Sequence, residues 1–368
     1  MNELSPPEYS RYARHLQLPN FSTTEQLKLK SARVLVIGAG GLGAPVLLYL
    51  AAAGVGHIGI IDPDRVNSSN LQRQVLYAEE DLGQLKVEAA QKRLLALNSL
   101  IEIEIYPNYF TKENALDLLH QYTLVVDGTD NFPTRYLVND ACVLSNIPYI
   151  YGSIFRYEGQ VSVFNFARED GSRGPNYRDL FPTPPPPGQV PNCAEGGVLG
   201  VLAGIIGSLQ ASEAIKLITG IGQVLDGRLY IFDSASFNSH TIQFKARPET
   251  LITELINYEL FCGVPAMEGI PSIDASTFIQ WQKTGKTYQL LDVRQDFEHE
   301  VDQLGGVLIP LNKLIDDIAQ VPRQEPLIVY CRIGSRSAKA VEYLLSQGFK
   351  QVYNLEGGIE AVRKQENV

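Results

Sequence analysis

RVLVIGAGGLGAPVLLYLAAAG (residues 33–54) decides the fold. Val34, Leu35, Val36 and Ile37 form a short apolar run that ends at Gly38. Gly40, Gly41 and Gly43 follow, and then a leucine- and alanine-rich run without glycine until Gly54. The first part reads as a buried strand, the glycines as a tight turn and the last part as a helix. Gly38, Gly40 and Gly43 satisfy G-x-G-x-x-G directly after a strand and opening a helix, where backbone amides and the positive helix end favour a phosphate. Asp62 stands 24 positions after Gly38, at the end of the next strand in HIGIIDPDRV, where an acid can accept hydrogen bonds from ribose hydroxyls. The plain alternative is close strand–helix packing with no ligand; strand, helix and acid together favour a nucleotide. The loop alone does not separate NAD from ATP.

Outward from this motif the pattern repeats. KVEAAQKRLLAL has helical spacing, IEIEIYP alternates like a strand, and TLVVDGTDN is an apolar strand ending in polar residues. Such alternation predicts an α/β fold, a Rossmann-like doubly wound and mostly parallel sheet with helices on both faces. YIYGSIFRYEGQVSVFNF reads as hairpin-like strands, an antiparallel extension. A proline- and glycine-rich loop follows at residues 171–191, then a helix from Gly196, then GRLYIFDS and HTIQFKA as strands. The first domain is expected over residues 1–247, with a connector at 248–270. A small second α/β domain is expected over 271–368: YQLLDVR, PLIVYC and QVYNLEGG as strands, LNKLIDDIAQV and SAKAVEYLLSQGF as helices.

Composition excludes several classes of function. The net charge of −10 argues against a general nucleic-acid binder. MNELSPPEYSRYARHLQLPN has neither the basic start nor the apolar run of a signal peptide, and the apolar stretch at 196–220 is interrupted by glycines, Ser212, Glu213 and Lys216. No membrane association is expected, and a cytoplasmic location is. The four cysteines, Cys142, Cys193, Cys262 and Cys331, lie far apart without C-x-x-C spacing, so neither a disulfide framework nor a four-thiolate zinc site is expected.

The polar residues beyond the glycine loop favour ATP over NAD. NLQRQ supplies Asn70, Arg73 and Gln74, GQLKV supplies Lys86, and DGTDNFPTRY supplies Asp127, Asp130 and Asn131 at the end of a strand, where open α/β sheets bind ligands. Cations stabilise a departing pyrophosphate and a carboxylate can hold magnesium; hydride transfer needs neither. The alternative is a set of loop charges and caps, with Asp130 as N-cap of a helix beginning at Phe132.

YCRIGSRSAKA (residues 330–340) poses a second question. Cys331 is either a buried thiol beside a turn or a nucleophile in a cradle of amides. A cysteine that follows a strand and opens a helix has its thiolate facing amide donors and the positive helix end, which lowers its pKa. Arg332 and Arg336 would add positive potential, and Gly334 would permit the tight loop. Cys142, on an apolar helix face, and Cys262 read as packing residues.

These residues carry a resemblance. RYARHLQLP, GAGGLGAPVLLYLAAAGVG, IDPDRVNSSNLQRQVLY, GQLKVEAA, DGTDNFPTRYLVNDAC and NCAEGGVLGVLAGIIGSLQASEAIKLITG together resemble the adenylating enzymes related to ubiquitin activation: the molybdopterin-synthase adenylyltransferases and their thiamin-pathway counterparts. PLIVYCRIGSRSA, with LLDVRQDFEHE before it and NLEGGIEA after it, resembles a rhodanese-type sulfurtransferase domain. The two cover nearly the whole chain, and their fusion is a known form of sulfur-carrier activating enzyme.

The resemblance implies that Gly38, Gly40, Gly41 and Gly43 form the ATP loop, that Asp62 binds ribose, and that Arg73 and Lys86 contact the phosphates. It implies that Asp130 is the acid essential for adenylation, through magnesium, and that Arg14 reaches the ATP site of a neighbouring subunit, so a homodimer is expected. The partner implied is a small ubiquitin-like sulfur carrier protein ending in Gly-Gly, its tail lying under the loop 171–193. Sulfur would come through Cys331 from a donor such as a cysteine desulfurase or thiosulfate. Cys193 matches the cysteine that in such enzymes bonds to the activated carrier or receives its persulfide. One departure stands out. Where many relatives carry the first of two zinc-binding C-x-x-C pairs, this chain has PNYRDLF, with Asn176 and Asp179, and the segment holding the second pair is missing from RPETLITELINYELFCG. No structural zinc is therefore expected, and the segment around Asn176 is expected to be more mobile or otherwise packed. Three other readings remain: adenylation of a different carboxylate, such as a peptide or siderophore-pathway carrier, a non-catalytic carrier-binding scaffold, and an NAD dehydrogenase.

Overall fold

The structure, a computed structural model, describes residues 3–185, 196–262, 269–323 and 326–366. The chain forms two compact units, Met1–Cys262 and Gly263–Val368.

In the first unit, strands β1 (Arg33–Ile37), β2 (His57–Ile61), β3 (Glu102–Tyr106), β4 (Leu124–Asp127), β5 (Tyr149–Phe155), β6 (Glu158–Phe164), β7 (Arg228–Asp233) and β8 (Asn238–Gln243) make one sheet of order β3-β2-β1-β4-β5-β6-β7-β8. Pairing is parallel from β3 through β5 and antiparallel from β5 to β8, so the expected mostly parallel sheet with an antiparallel extension is present. Alternate residues of β1 serve opposite faces, as strand geometry dictates. Val34 and Val36 pack with Leu47, Leu50 and Ile206, against helices Gly43–Ala53 and Gly200–Thr219. Leu35 and Ile37 pack with Leu119, Tyr136 and Tyr149, against helix Phe132–Leu144. Each fully buried Leu of this kind contributes about 1.5–3 kcal/mol. Helix Gly200–Thr219 is long and apolar enough to cross a membrane, yet its Leu202, Ala203, Ile206 and Gly207 are buried against the sheet and the glycine-loop helix; it is a core helix. The register aligns Ile37 with Ile61 and with Asp127, so β1, β2 and β4 end together at one edge.

Two differences from the sequence reading have local causes. The long helix starts at Gly200 rather than Gly196, because Arg156 exchanges backbone hydrogen bonds with Gly197 and Leu199 and holds that stretch extended. Residues 258–262, read as part of the connector, form the helix Tyr258–Phe261 and bury Tyr258 and Cys262 in the first unit's core.

The second unit is a parallel five-stranded sheet of order β11-β10-β12-β13-β9, formed by β9 (Ser272–Ile273), β10 (Gln289–Asp292), β11 (Val307–Leu308), β12 (Leu327–Tyr330) and β13 (Val352–Leu355). Helices Ala275–Thr284, Ser335–Ser346 and Gly358–Glu366 flank it. LNKLIDDIAQV, expected as a helix, is instead two single 3₁₀ turns, Leu311–Lys313 and Ile318–Gln320. Its apolar spacing is helical, but Pro310 and Pro322 bracket it. In mid-segment the Asp317 carbonyl accepts from the Gln320 N–H at 2.9 Å, closing a separate turn.

Candidate functional site

The glycine loop sits at the shared strand edge of the first unit. Gly38 has φ +90°, and a Cβ there would lie 3.0 Å from the Gly128 carbonyl oxygen; a Cβ on Gly43 would lie 2.0 Å from the Gly38 oxygen. These two glycines serve folding. Gly40 is different: a Cβ there would meet only the Gln74 Nε2, at 3.7 Å. Nothing in the protein requires glycine at Gly40, so its bare backbone faces open space where a phosphate can approach. Gly41 lies against the Arg73 side chain, 3.5 Å from Cγ to a Cβ built at the glycine, and Gln74 is buried with its Oε1 unpartnered among the described residues.

Asp62 closes the base of the loop. Its carboxylate accepts from the Ala39 N–H and the Asp64 N–H, both at 2.8 Å, and Tyr77 donates its hydroxyl to the Ala39 carbonyl, 2.8 Å. Burial pushes the Asp62 carboxyl above its usual value, against the pull of Lys86. Lys86 is itself buried, with Nζ 2.8 Å from Asp64 Oδ2 and 3.9 Å from Asp62 Oδ2. Asn70 and Arg73 lie on the adjoining turn; the Asn70 carbonyl of the side chain accepts from the Asn67 N–H, and Arg73 Nη1 donates to the Ser69 carbonyl, 3.0 Å.

After β4 the chain turns through residues 128–131. Asn131, rather than Asp130, caps helix Phe132–Leu144, accepting from the Thr134 N–H at 3.0 Å. Asp130 is exposed and its carboxylate has no partner among the described residues, so the capping reading of Asp130 does not hold. Asp127 is fully buried; burial pushes its carboxyl up, while Arg135 and Thr129 oppose that shift. Sequence reasoning missed Asp64, Tyr77, Arg135 and Gln210. Gln210, whose Nε2 donates to the Asp127 carbonyl at 2.7 Å, carried one signal: it is an amide just after the glycine- and leucine-rich first half of a mostly apolar helix.

Arg14, Asn176 and Asp179 lie elsewhere. Arg14 hydrogen-bonds Gln17 at 3.2 Å, beside Tyr12, which packs on Gly54 at the far end of helix Gly43–Ala53; eleven residues put that end about 16 Å from the glycine loop. Within one chain Arg14 does not join the site. Cys193 lies outside the described residues. Asn176 and Asp179 are packed: Asn176 caps helix Tyr177–Leu180, and the buried Asp179 accepts from the Asn176 and Arg247 N–H groups. Arg178 between them makes a bidentate pair with Asp140, 2.7 Å at both bonds, and stacks over Phe261; the Tyr258 hydroxyl donates to the same carboxylate at 2.9 Å.

In the second unit Cys331 follows β12 and is buried, its Sγ accepting from the Gly334 N–H at 3.2 Å and the Ser337 hydroxyl at 3.4 Å. Gly334 has φ +91°, and a Cβ there would come within 3.0 Å of the Gly357 nitrogen, so the loop requires glycine. The Ile359 N–H donates to the Cys331 carbonyl, 2.9 Å, fixing the loop to the turn after β13. Arg332 pairs with Glu360 at 2.5 Å, and Arg336 pairs bidentately with Glu298 at 2.6 and 2.7 Å. Each arginine expected to add positive potential thus has a carboxylate against it.

Residues 12–252 match the ThiF family and residues 274–365 the rhodanese-like domain. The chain is 48% identical over 371 residues to "Probable adenylyltransferase/sulfurtransferase MoeZ" of Mycobacterium tuberculosis, covering 98% of this chain and 94% of that protein. It is 53% identical over 264 residues to the sulfur carrier protein adenylyltransferase of Thermus thermophilus, covering 70% of this chain and 97% of that one. Adenylyltransferase and sulfurtransferase MOCS3 of Drosophila grimshawi is 41% identical, covering 98% and 85%. Among solved structures, E. coli MccB with AMPCPP and MccA aligns at a TM-score of 0.56 and 25% identity, over 66% of this chain and 73% of that one.

Proposed function

Because the chain belongs to the ThiF family and carries a C-terminal rhodanese-like domain, we propose that it activates the Gly-Gly carboxylate of a small ubiquitin-like sulfur carrier with ATP and converts it to a thiocarboxylate. The chain is an adenylyltransferase and a sulfurtransferase. A carboxylate is a poor electrophile: its charge repels nucleophiles and its oxygen leaves badly. Attack of a carboxylate oxygen on the α-phosphorus of ATP breaks the bond to pyrophosphate and gives an acyl-adenylate, whose leaving group is AMP.

The glycine-loop amides would hold the phosphates at Gly40, with Gly38, Gly41 and Gly43 shaping the turn, and Asp62 the ribose. Arg73, Lys86, Asn70 and Gln74 would stabilise the departing pyrophosphate, and Lys86 would exchange Asp64 for a phosphate oxygen. Asp130 would hold magnesium, which supplies charge compensation; Asn131 fixes the start of the following helix. Arg14 would act in the site of a second copy, making the active form a homodimer. A persulfide on Cys331, drawn from a cysteine desulfurase or thiosulfate, would attack the adenylate carbonyl and release AMP. An external thiol would split the resulting acyl disulfide, freeing the thiocarboxylate and leaving Cys331 in a mixed disulfide that a second thiol reduces; Cys193, by the resemblance, would bond to the activated carrier or receive its persulfide. Cys142, Cys262 and Cys331 are free thiols, which suits a reducing compartment, the cytoplasm. What carries this reading is the open backbone face at Gly40 beside Gln74 and Arg73. Its test is ATP–pyrophosphate exchange: exchange that requires a Gly-Gly carrier and is lost in Asp130→Ala supports it, and hydride transfer to NAD without exchange contradicts it.

A further inference from the structure

The turn that presents Asp130 is gripped by Arg135, a residue of DGTDNFPTRY to which the sequence reading gave no role. We propose that Arg135 is a positioning residue for adenylation: it holds the Thr129 carbonyl, and with it the 128–131 turn, in the geometry that places Asp130 beside the glycine loop. This rests on the adenylation reading above.

Arg135 lies in the first turn of helix Phe132–Leu144 and is only 7% exposed. Its Nη2 donates to the Thr129 carbonyl at 3.2 Å. Its guanidinium lies 5.8 Å from the ring centroids of both Phe132 and Tyr151. From the other side, Asp127 Oδ1 accepts from the Thr129 N–H at 2.9 Å and the Thr129 hydroxyl at 2.7 Å. Thr129 is therefore held at its amide, its hydroxyl and its carbonyl, one residue before Asp130. The same turn is joined to the glycine loop: the Gly128 N–H donates to the Ile37 carbonyl at 2.8 Å, and the Gly128 carbonyl forms the wall against Gly38.

The arrangement is electrostatically unfavourable as plain packing. A buried guanidinium must recover its lost hydration, and a cation in the first turn of a helix opposes the macrodipole. The fully buried Asp127 and the two rings offset part of that cost, which a Leu or Met at the position would not incur. The arrangement is specific to arginine, because only the planar fork can lie between two rings while one arm reaches the Thr129 carbonyl. Asp130 has no partner of its own among the described residues, so its direction depends on the turn beneath it.

The experiment is carrier-dependent ATP–pyrophosphate exchange by the full chain, with kcat and the KM for ATP measured for Arg135→Gln, Arg135→Lys, Thr129→Val and Asp130→Ala, and a thermal melt of each sample. Loss of positioning predicts that Arg135→Gln lowers kcat roughly tenfold to a hundredfold with KM changed less than about threefold, since a displacement near 1 Å costs that much. Arg135→Lys is expected to recover part of the loss. Thr129→Val, near-isosteric and lacking only the hydroxyl held by Asp127, is expected to lower kcat in the same sense when assayed below its melt, which is lowered only by the loss of one buried hydrogen bond. The proposal is overturned if Arg135→Gln and Thr129→Val keep wild-type kcat, if KM rises while kcat stands, or if kcat falls only with the folded fraction. Full exchange by Asp130→Ala, by contrast, would overturn the adenylation reading itself.

Discussion

Alanine at Gly40 and alanine at Gly43 are expected to fail in opposite ways, although both belong to one motif. At Gly43 the added Cβ would sit 2.0 Å from the Gly38 carbonyl oxygen, with the rest of that carbonyl 3.0 Å away. The obstruction is backbone, so it cannot rotate aside. Overpacking of this sort costs about 1–3 kcal/mol where side chains can shift, and here the upper end or more applies. For a unit of this size each kcal/mol moves the melting temperature by roughly 2–4 °C, so Gly43→Ala is expected to melt about 6–12 °C lower. At Gly40 the Cβ would meet only the end of the Gln74 side chain, at 3.7 Å, and the backbone there is not in the left-handed region. Gly40→Ala is therefore expected to melt as the wild type does or slightly higher, by the entropy that alanine removes from the unfolded chain. Its methyl group, however, would occupy the space where the phosphate meets the backbone, and ATP–pyrophosphate exchange is expected to fall at least tenfold through the KM for ATP. Differential scanning calorimetry and the exchange assay on the same samples read both effects. Wild-type exchange by Gly40→Ala would refute the assignment of this face to the phosphates, and an unshifted melt for Gly43→Ala would refute the packing argument.

Two further outcomes follow from the ion pairs. Arg178→Met leaves the Asp140 carboxylate, with its side chain 2% exposed, without its bidentate partner, which costs about 3–5 kcal/mol; the first unit is expected to melt roughly 6–20 °C lower. A chelator is expected to leave the wild-type melt unchanged; a melt lowered by chelator, or an Arg178→Met melt within about 2 °C of wild type, would contradict this account of the segment. In the second unit, burial would raise the Asp292 and Glu298 carboxyls, but hydrogen bonds from Arg294 and His299 to the first, and from Arg336 to the second, outweigh it and hold both below their usual values. A folded-state pKa below the unfolded one stabilises above the ordinary carboxylate range, near pH 4, and that contribution is lost as pH falls through it. Trp281, the only tryptophan, lies in this unit, so urea unfolding followed by its fluorescence is expected to weaken steadily from about pH 6 to pH 3; a flat midpoint would contradict the pairing. Asp62 and Asp127 in the first unit are raised by burial and contribute with the opposite sign.

How much of this was legible in the sequence depends on the range of the interactions. The strand, glycine turn and helix of residues 33–54 are local, and their periodicity and glycine spacing sufficed to place them. The antiparallel extension was equally visible in YIYGSIFRYEGQVSVFNF, because alternation and turn chemistry are local too. The choice between Asp130 and Asn131 as cap was not visible: both residue types cap helices, and only the backbone at the turn decides that Asn131 faces Thr134. LNKLIDDIAQV showed a helical spacing of apolar residues that its flanking prolines and the separate turn at Asp317 override. Arg135 has no local sign of burial in DGTDNFPTRY, because its surroundings include Tyr151 and Asp127 from two other elements. The cluster of Arg178, Asp140 and Tyr258 spans 118 positions, and no local pattern announces it.

The most direct test of the central claim is the intact mass of a Gly-Gly carrier after incubation with the protein, ATP, magnesium and thiosulfate, with Asp130→Ala and Cys331→Ala in parallel. A gain of about 16 mass units, oxygen exchanged for sulfur, that disappears in both variants is the predicted result. The same gain with Cys331→Ala, or an unmodified carrier with the wild type while pyrophosphate exchange proceeds, would contradict the path through Cys331.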